Sequence, residues 1–437
     1  MRILDWSRLD ALERAAALER PVQQSRAEVD DVVRAVIASV RARGDDALRE
    51  YTRRFDGVEL RDMQVDDAEF AAARRAVGAS ERAALERALE NVERFHRAQS
   101  LESISIETSP GVRCERIFRP IGAVGLYVPA GSAPLPSAVV MLAVPARIAG
   151  CPRRVLCTPP DRTGKAHPAV LVAAQLCGIE QVFKVGGAQA IAALAYGTET
   201  LPKVEKIFGP GNAWVTAAKQ AAAADPLGAA CDMPAGPSEV MVIADESASA
   251  EFVAADLLAQ AEHDVNAQSI LVTPSAQLAQ AVSSAVARQT DTLSRRAILD
   301  RSLAASRCIV VADLAAALEV ANAYAAEHLL LQVREPRALL AGVTSAGSVF
   351  LGAWSPEPLG DYCSGTNHVL PTYGYARTYS GLSVLDYLKR ITVQELTPQG
   401  LRMLGPTAVT LARLEGLDAH AAAVTRRLDR LALEPQP

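Results

Sequence analysis

Residues 239–264 read EVMVIADESASAEFVAADLLAQAEHD and contain one complete unit of the fold. Glu239–Ile243 is a short apolar run with β-branched residues, which is typical of a buried strand. Phe252–Glu262 is rich in Ala and Leu and contains neither Gly nor Pro, so it predicts a helix. This stretch therefore predicts a strand followed by a helix, the unit from which parallel sheets are built.

The same alternation continues on both sides of this stretch, from about residue 117 onward. Further strands are predicted at Ala123–Val128, Arg154–Thr158, Gln181–Val185, Lys206–Phe208, Ser269–Val272 and Arg307–Val311. Further helices are predicted at Ser137–Ile148, Pro168–Cys177, Asn212–Ala223 and Asp313–Glu327. Such alternation predicts an α/β protein with largely parallel sheets, and its length suggests two sheets rather than one. Residues 1 to about 100 are charged and predict helices, notably Asp30–Arg43 and Ala83–Gln99.

Composition excludes several classes of protein. The chain has 437 residues, half of them hydrophobic, which favours two or three domains with sizeable cores. The net charge is −5 and no basic run is present, so nothing indicates nucleic-acid binding. The seven cysteines form no CxxC pair, which argues against a disulfide framework and for a reducing compartment.

Targeting signals are also missing from the pattern. The first ten residues, MRILDWSRLD, contain no apolar core of the signal-peptide type, so we expect a cytoplasmic protein. Residues 120–146 carry no charge, but five prolines and three glycines interrupt them. A buried strand, a loop and a short buried helix explain this run better than a membrane-spanning helix.

Two residues near the end of the predicted helix at 252–262 are candidates for metal binding. Gln260 and His263 are three residues apart, which places both side chains on one helix face. An amide oxygen and a neutral imidazole can both donate lone pairs to a divalent metal. From spacing alone, such a pair is more often part of an ordinary helix surface than half of a metal site.

Three glycine-containing loops follow predicted strands, and two of them open predicted helices: Tyr127–Gly131, Gly186–Gln189 and Gly209–Asn212. Such turns let backbone N–H groups approach a phosphate. None is a GxGxxG motif, and each alone is typical of a tight turn; together they favour a nucleotide. A fourth polar loop, Asp232–Glu239, precedes a strand and fits either a site wall or a domain crossover.

Polar clusters lie in the later part of the chain. Glu327 and His328 are predicted at the end of a helix, where either could be a general base and His328 is better matched to neutral pH. Gly360–His368 is too polar and glycine-rich for a core, and Glu415–His420 is predicted to start the final helix. Spacing does not decide which of these residues meet, and His167 and His368 remain alternatives.

Taken together, the motifs resemble the histidinol dehydrogenase family, in family order over roughly residues 20–430. The matching segments are VGLYVP (124–129), KVGGAQAIAALAYG (184–197), FGPGN (208–212), DMPAGPSEV (232–240), LAQAEHD (258–264), AEHL (326–329), GDY (360–362), GTNHVLPT (365–372), SGLSV (380–384) and EGLDAH (415–420). Small departures occur at Ala130, Trp214 and Leu330, none of which matches a ligand or base of the family.

The resemblance implies a role for individual residues. The implied zinc ligands are Gln260, His263, Asp361 and His420. The implied catalytic residues are Glu327 and His328, and the implied NAD contacts are Tyr127, Gln189 and Asn212. The implied substrate contacts are Ser238, Gln260, His263, His328, Asp361, Glu415 and His420.

The resemblance also implies an activity: the zinc-dependent, NAD-linked four-electron oxidation of L-histidinol to L-histidine through the aldehyde. The alternative is a related zinc- and NAD-dependent dehydrogenase of another small amino- or sulfo-alcohol. A binding protein with a degenerate site is disfavoured because every matched position is filled.

The family fold implies two incomplete Rossmann-like domains, with terminal helical segments exchanged in a homodimer that shares its active sites. The expected division is a helical extension at 1–20, a first α/β domain at 21–120 with 239–380, an NAD-side domain at 121–238 and a helical tail at 381–437 that reaches the partner subunit.

Overall fold

The computed structural model describes residues 1–21, 26–99, 102–130, 133–234 and 236–433. Gly131 and Ala235, which belong to two of the predicted loops, lie outside these ranges. The chain divides into two compact units: Met1–Ala98 with Ile121–Tyr387, and Gln99–Pro120 with Leu388–Pro437.

The strands are β1 (Arg2–Asp5), β2 (Ile104–Ser109), β3 (Val112–Pro120), β4 (Ala123–Tyr127), β5 (Arg153–Cys157), β6 (Gln181–Phe183), β7 (Lys206–Phe208), β8 (Ala230–Cys231), β9 (Glu239–Ala244), β10 (Gln268–Thr273), β11 (Arg307–Val310), β12 (His328–Gln332), β13 (Ser348–Leu351) and β14 (Leu388–Leu396). The helices are α1 (Ala11–Ala17), α2 (Arg26–Arg43), α3 (Asp45–Phe55), α4 (Asp67–Ala76), α5 (Ala79–Arg97), α6 (Pro136–Ile148), α7 (Pro168–Leu176), α8 (Gly187–Tyr196), α9 (Ala213–Ala224), α10 (Ala250–Ala261), α11 (Ala276–Thr290), α12 (Arg296–Ala305), α13 (Leu314–Tyr324), α14 (Pro336–Leu340), α15 (Glu357–Tyr362), α16 (Pro398–Leu414) and α17 (Asp418–Leu433).

The first unit contains two parallel sheets, which confirms the predicted α/β class. One has the strand order β6-β5-β4-β7-β8 and the other the order β1-β11-β10-β9-β12-β13. Every residue of β4, β9, β10 and β12 is buried. Strands covered on both faces need apolar side chains at successive positions, which explains their continuous apolar runs.

The five-stranded sheet carries one apolar cluster on each face. Helices α6 and α7 pack on the face to which Val124 and Leu126 point, and α8 and α9 pack on the face of Tyr127. The N-terminal helices join these same clusters: α2 and α3 lie with α8 and α9, whereas α4 and α5 lie with α6 and α7. The grouping of 21–120 with 239–380 in one domain stays a prediction. The apolar stripes of these helices indicated burial but not the sheet that covers them.

The N-terminal segment contributes a strand as well as a helix. Arg2–Asp5 pairs in parallel with Arg307–Val310 at the edge of the six-stranded sheet, so the segment 1–20 is not solely helical. Four residues are too few for a periodicity signal, which is why the sequence pattern did not indicate this strand.

The predicted strands and helices of the α/β region are found, with shifts of a few residues at their ends. The uncharged run at 120–146 forms β4 and the buried helix α6, as predicted. No helix in the described part of the chain combines the length and apolar character needed to cross a membrane.

One predicted helix end is wrong, and the error matters for the site. The predicted helix Asp313–Glu327 ends at Tyr324, because Ala325 adopts the left-handed conformation with φ 57°. His328 instead opens β12, which lies between β9 and the edge strand β13 of the six-stranded sheet. The Ala-rich sequence before Glu327 favours a helix locally, but pairing with β9 determines the structure.

The second unit has an antiparallel sheet with β3 between β2 and β14, and a hairpin of α16 and α17. The predicted tail at 381–437 therefore contains a strand in addition to helices. The two helices share a small apolar cluster of Val409, Ala412, Ala421 and Val424.

Candidate active site

His328 lies at the N-terminal end of β12, beside β9, and only 3% of it is exposed. Its Nδ1 is 3.2 Å from the backbone oxygen of Glu239, and its Nε2 is 3.2 Å from Oδ1 of Asp361. Because both ring nitrogens face oxygens, both act as donors, which fits the imidazolium form. Burial opposes protonation, but the nearby carboxyl groups, Glu327 first among them, outweigh it and raise the pKa of His328 to about 10.

Glu327 precedes His328 and faces the same strand. Its Oε2 accepts a hydrogen bond of 2.9 Å from the backbone N–H of Glu239 and lies 3.6 Å from His328 Nδ1. Burial raises the pKa of Glu327 to about 8, although the His328 charge and the Glu239 N–H oppose the rise. The backbone of Glu239 therefore holds both side chains, through its N–H and its C=O.

The side chain of Glu239 is itself fixed. Its carboxylate accepts two hydrogen bonds from Arg20, of 2.5 and 2.9 Å, and one of 2.8 Å from the Tyr373 N–H. Arg20 also donates to the Tyr324 carbonyl at 2.9 Å. A bidentate pair of this kind restrains orientation as well as distance, so it stabilises the start of β9.

Asp361 lies on α15 and connects His328 to a second histidine. His368 donates from Nδ1 to the Asp361 carbonyl oxygen at 2.6 Å. Burial lowers the pKa of His368, whereas the hydrogen bond from His328 and the surrounding imidazoles overcome burial and lower the pKa of Asp361. Asp361 is therefore held as a carboxylate among imidazole rings.

A cluster suited to a cation is formed by four side chains. Gln260 lies on α10, His263 just after the end of α10, and Glu357 and Asp361 on α15. Donor atoms of His263, Glu357 and Asp361 all lie within 4.8 Å of one another. Gln260 is fully buried, with its Nε2 3.1 Å from His263 Nδ1. Imidazole nitrogen, amide oxygen and carboxylate oxygen are a mixed donor set that suits zinc and other divalent transition metals.

Unpaired buried atoms show that this cluster fits a cation. Among the described residues, the buried Oε1 of Gln260 and both carboxyl oxygens of Glu357 have no hydrogen-bond partner. Buried polar atoms are normally paired, and an isolated buried carboxylate is strongly unfavourable. A divalent cation among these donors would satisfy all three atoms.

A second group of predicted residues lies at the carboxyl end of the five-stranded sheet, where ligands of open α/β sheets bind. Tyr127 ends β4, and its hydroxyl accepts a 3.0 Å hydrogen bond from the Gly187 N–H. This amide is therefore already engaged within the protein. Gln189 is 2% exposed, and its amide lies against Gly187, which has φ 66°.

Asn212 lies at the adjacent loop, is exposed, and caps α9 through a 3.1 Å hydrogen bond from the Val215 N–H to its Oδ1. The loop rests on a buried ion pair of Lys219 and Asp232. Lys219 donates to the Gly209 carbonyl at 2.8 Å, and Asp232 accepts from the Gly209 N–H at 2.8 Å. The pair fixes Gly209 from both sides.

The structure brings together some of the residues that the sequence singled out, but not all. Glu327, His328, Gln260, His263 and Asp361 belong to one buried group in the first unit. Ser238, half-buried, immediately precedes β9. Glu415 and His420 lie in the second unit, at the turn between α16 and α17 and on α17, and both are exposed.

Sequence reasoning missed Glu357 and left His368 as one alternative among several. The available signal was the four-residue spacing of Glu357 and Asp361, which places two carboxylates on one face of a helix. Two prolines and a glycine between residues 354 and 360 concealed the short helix.

The fold and this site define a class, an α/β enzyme with a buried histidine between carboxyl groups and a neighbouring donor set for a metal. Comparison with known proteins identifies the family. The sequence profile of histidinol dehydrogenase matches residues 18–428, so the chain belongs to the histidinol dehydrogenase family and is an oxidoreductase.

Individual relatives agree with this assignment. The chain is 57% identical over 428 residues to a histidinol dehydrogenase of Xanthomonas euvesicatoria pv. vesicatoria, covering 98% of this chain and 99% of the relative. It is 54% identical over 429 residues to that of Pectobacterium atrosepticum, with 98% and 96% covered. The crystal structure of histidinol dehydrogenase from Elizabethkingia anophelis matches with a TM-score of 0.93, 46% identity and 97% of each chain covered.

Proposed function

We propose that this protein oxidises L-histidinol to L-histidine with two molecules of NAD, in the last steps of histidine biosynthesis. Family membership supports the substrate. The observation that carries the chemistry is the buried His328, held between Glu327 and Asp361 and beside the donor cluster of α10 and α15.

The proposed metal ligands are Gln260, His263, Asp361 and His420, of which the first three belong to the buried cluster. Zinc bound there would orient the amine and imidazole of the substrate and offset the carboxyl charges that favour protonation of His328. Exposure of Glu415 and His420 is compatible with the proposed homodimer, in which these residues complete the site of the partner subunit.

In the proposed first oxidation, neutral His328 takes the proton of the substrate hydroxyl at Nε2 while its Nδ1–H remains bonded to the Glu239 carbonyl. That backbone bond fixes the ring tautomer and leaves Nε2 as the basic atom. A bound NAD would supply the hydride acceptor, so that this step leaves the aldehyde and a protonated His328.

The second oxidation needs a water molecule on the aldehyde carbon. Glu327 is the proposed base for that water, since burial brings its pKa to about 8, close to the range in which a carboxylate is an effective base. Once His328 has released its first proton to solvent, the hydrated aldehyde loses a proton to it, and a bound NAD would take the second hydride. The resulting carboxylic acid then ionises to the carboxylate. Enclosure of the site protects the reactive aldehyde between the steps.

The proposed NAD contacts are Tyr127, Gln189 and Asn212, at the carboxyl end of the five-stranded sheet. In this proposal the buried pair of Lys219 and Asp232 holds the Gly209 loop in place before the nucleotide binds. Preorganisation of this kind reduces the entropic cost of binding.

The test is NADH formation by the full-length protein supplied with zinc, NAD and L-histidinol. We expect two NADH per L-histidine, loss of activity with a chelator and recovery with zinc. His328→Asn should lower kcat by about 10²–10⁴-fold. His167→Asn is the matched control, because His167 is exposed and Asn preserves its N-cap of α7. Absence of turnover by the zinc-loaded protein would refute the substrate and direct attention to other small amino-alcohols.

A further inference from the structure

Glu357 has no assigned role, although it is one of the most deeply buried carboxyl groups of the chain. Only 1% of the residue is exposed. It begins α15, four residues before Asp361, so both carboxyl groups lie on the same face of the helix. Neither Glu357 oxygen accepts a hydrogen bond from any described residue.

The described neighbours of this carboxyl group do not donate a hydrogen bond to its oxygens. His328 is close enough to affect its charge, but both nitrogens of His328 are already engaged, one by the Glu239 carbonyl and one by Asp361. Asp256 provides a contrast within the same region: it is also buried, yet it accepts hydrogen bonds from Gln332 and from the Glu357 N–H. Of these two carboxyl groups, only that of Glu357 lacks a hydrogen-bond donor among the described residues.

Two other neighbours of Glu357, His263 and Asp361, are proposed metal ligands. Its oxygen, the His263 nitrogen and the Asp361 oxygen lie within 4.8 Å of one another. Two ligands of one zinc ion, with bonds of about 2.0–2.2 Å, are separated by at most about 4.4 Å, so a small side-chain movement suffices. Gln260 adds an unpaired buried oxygen to the group.

We propose that Glu357 is a ligand of the divalent cation, and that Gln260, His263, Glu357 and Asp361 form a four-donor set within the first unit of a single chain. This inference rests on the metal part of the proposed function. It implies that the chain binds a metal without His420, and that His420 and the substrate replace Glu357 or add to it in the assembled site.

Co²⁺ alone is the probe, because its visible d–d absorption reports the number and type of its ligands. We would titrate the full-length apoprotein with Co²⁺ and measure both the spectrum and the affinity, in competition with a chromophoric chelator. Glu357→Gln should change the spectrum and weaken Co²⁺ binding by about tenfold or more. Asp256→Asn, the matched control, removes a neighbouring buried carboxylate and should leave the spectrum unchanged.

Two further variants strengthen the test. His420→Ala should retain Co²⁺, and adding Glu357→Gln to it should reduce binding further. Glu357→Cys should give a thiolate-to-cobalt charge-transfer band in the near ultraviolet, a signal that a packing role cannot produce.

The outcomes separate this inference from the proposal on which it rests. If the unaltered chain and Asp256→Asn bind Co²⁺ while Glu357→Gln has the same spectrum and affinity, Glu357 is not a ligand and only this inference fails. Failure of the unaltered chain to bind Co²⁺ or Zn²⁺ would overturn the metal site altogether.

Discussion

Replacement of Arg20 by Met tests how the start of β9 is held. Arg20 donates two hydrogen bonds to the Glu239 carboxylate, whose side chain is 2% exposed, and the backbone N–H groups of Tyr373 and Glu327 also interact with it. Met fills part of the space without a charge, so the variant leaves a buried carboxylate with backbone donors but without its charged partner. Removal of one partner of a buried pair costs about 3–5 kcal/mol.

Proton uptake sets an upper limit on this loss. Glu239 in the variant can escape the penalty by binding a proton, which at pH 7 costs about 3.7 kcal/mol for a glutamate with an ordinary pKa near 4.3. We therefore expect Arg20→Met to lower the free energy of unfolding by about 3–4 kcal/mol at pH 7. In the variant the folded-state pKa of Glu239 lies above its unfolded value, so the deficit grows as pH rises and shrinks as pH falls toward 5.

The assay is urea unfolding of the full-length protein at constant protein concentration, at pH 5, 6 and 7. Arg8→Met is the control, because the Arg8–Asp5 pair is exposed and should contribute less than about 1 kcal/mol. Arg20→Met combined with Glu239→Gln should recover part of the loss and remove its pH dependence. A deficit below about 1 kcal/mol that does not vary with pH would refute the reasoning.

Two further predictions concern the five-stranded sheet and the N-terminal helices that pack on it. Gly209→Ala places a Cβ against the Tyr127 carbonyl oxygen at a residue with φ 122°, so we expect the KM for NAD to rise at least roughly tenfold. Gly150→Ala is the control for backbone strain, because Gly150 has φ 82° and open space around it. Equal KM values for the two variants would exclude the clash as the cause. Burial raises the pKa of Asp56 to about 6 from an ordinary value near 4. The folded chain therefore loses stability as pH rises through this interval, and Asp56→Asn should raise the unfolding free energy by about 1 kcal/mol at pH 8, after allowance for partial exposure, but not at pH 4. An equal gain at both pH values would assign the effect to hydrogen bonding instead of charge.

Much of the fold could be predicted from local patterns. Buried strands such as β9 and β10 are continuous apolar runs, and α10 is an Ala- and Leu-rich segment without Gly or Pro. Consecutive residues therefore suffice to predict whether each segment is a strand or a helix. The grouping of α2–α5 with the five-stranded sheet and the pairing of β1 with β11 depend on partners far away in sequence. No local pattern specifies those partners.

The residues of the candidate site likewise divide into those that a local pattern predicts and those that depend on partners distant in sequence. Gln260 and His263 could be predicted as a pair from the sequence, because helical spacing places them on one face. His328 was predicted on a helix, and its position beside Glu239 exists only because β12 pairs with β9. The roles proposed for Glu415 and His420 come from family resemblance, since exposed residues of a helical hairpin carry no signal of their own.

The parallel pairing of Arg2–Asp5 with Arg307–Val310 has a consequence for biosynthesis. During translation, the first strand stays unpaired until about 300 further residues have been added and its partner strand has been synthesised. At 5–20 residues per second this takes roughly 15–60 s. The five-stranded sheet lies wholly between these two strands in sequence and can fold during that interval. The six-stranded sheet, which contributes His328, is therefore completed late, and until then the backbone N–H and C=O groups of its unpaired edge can pair with other chains.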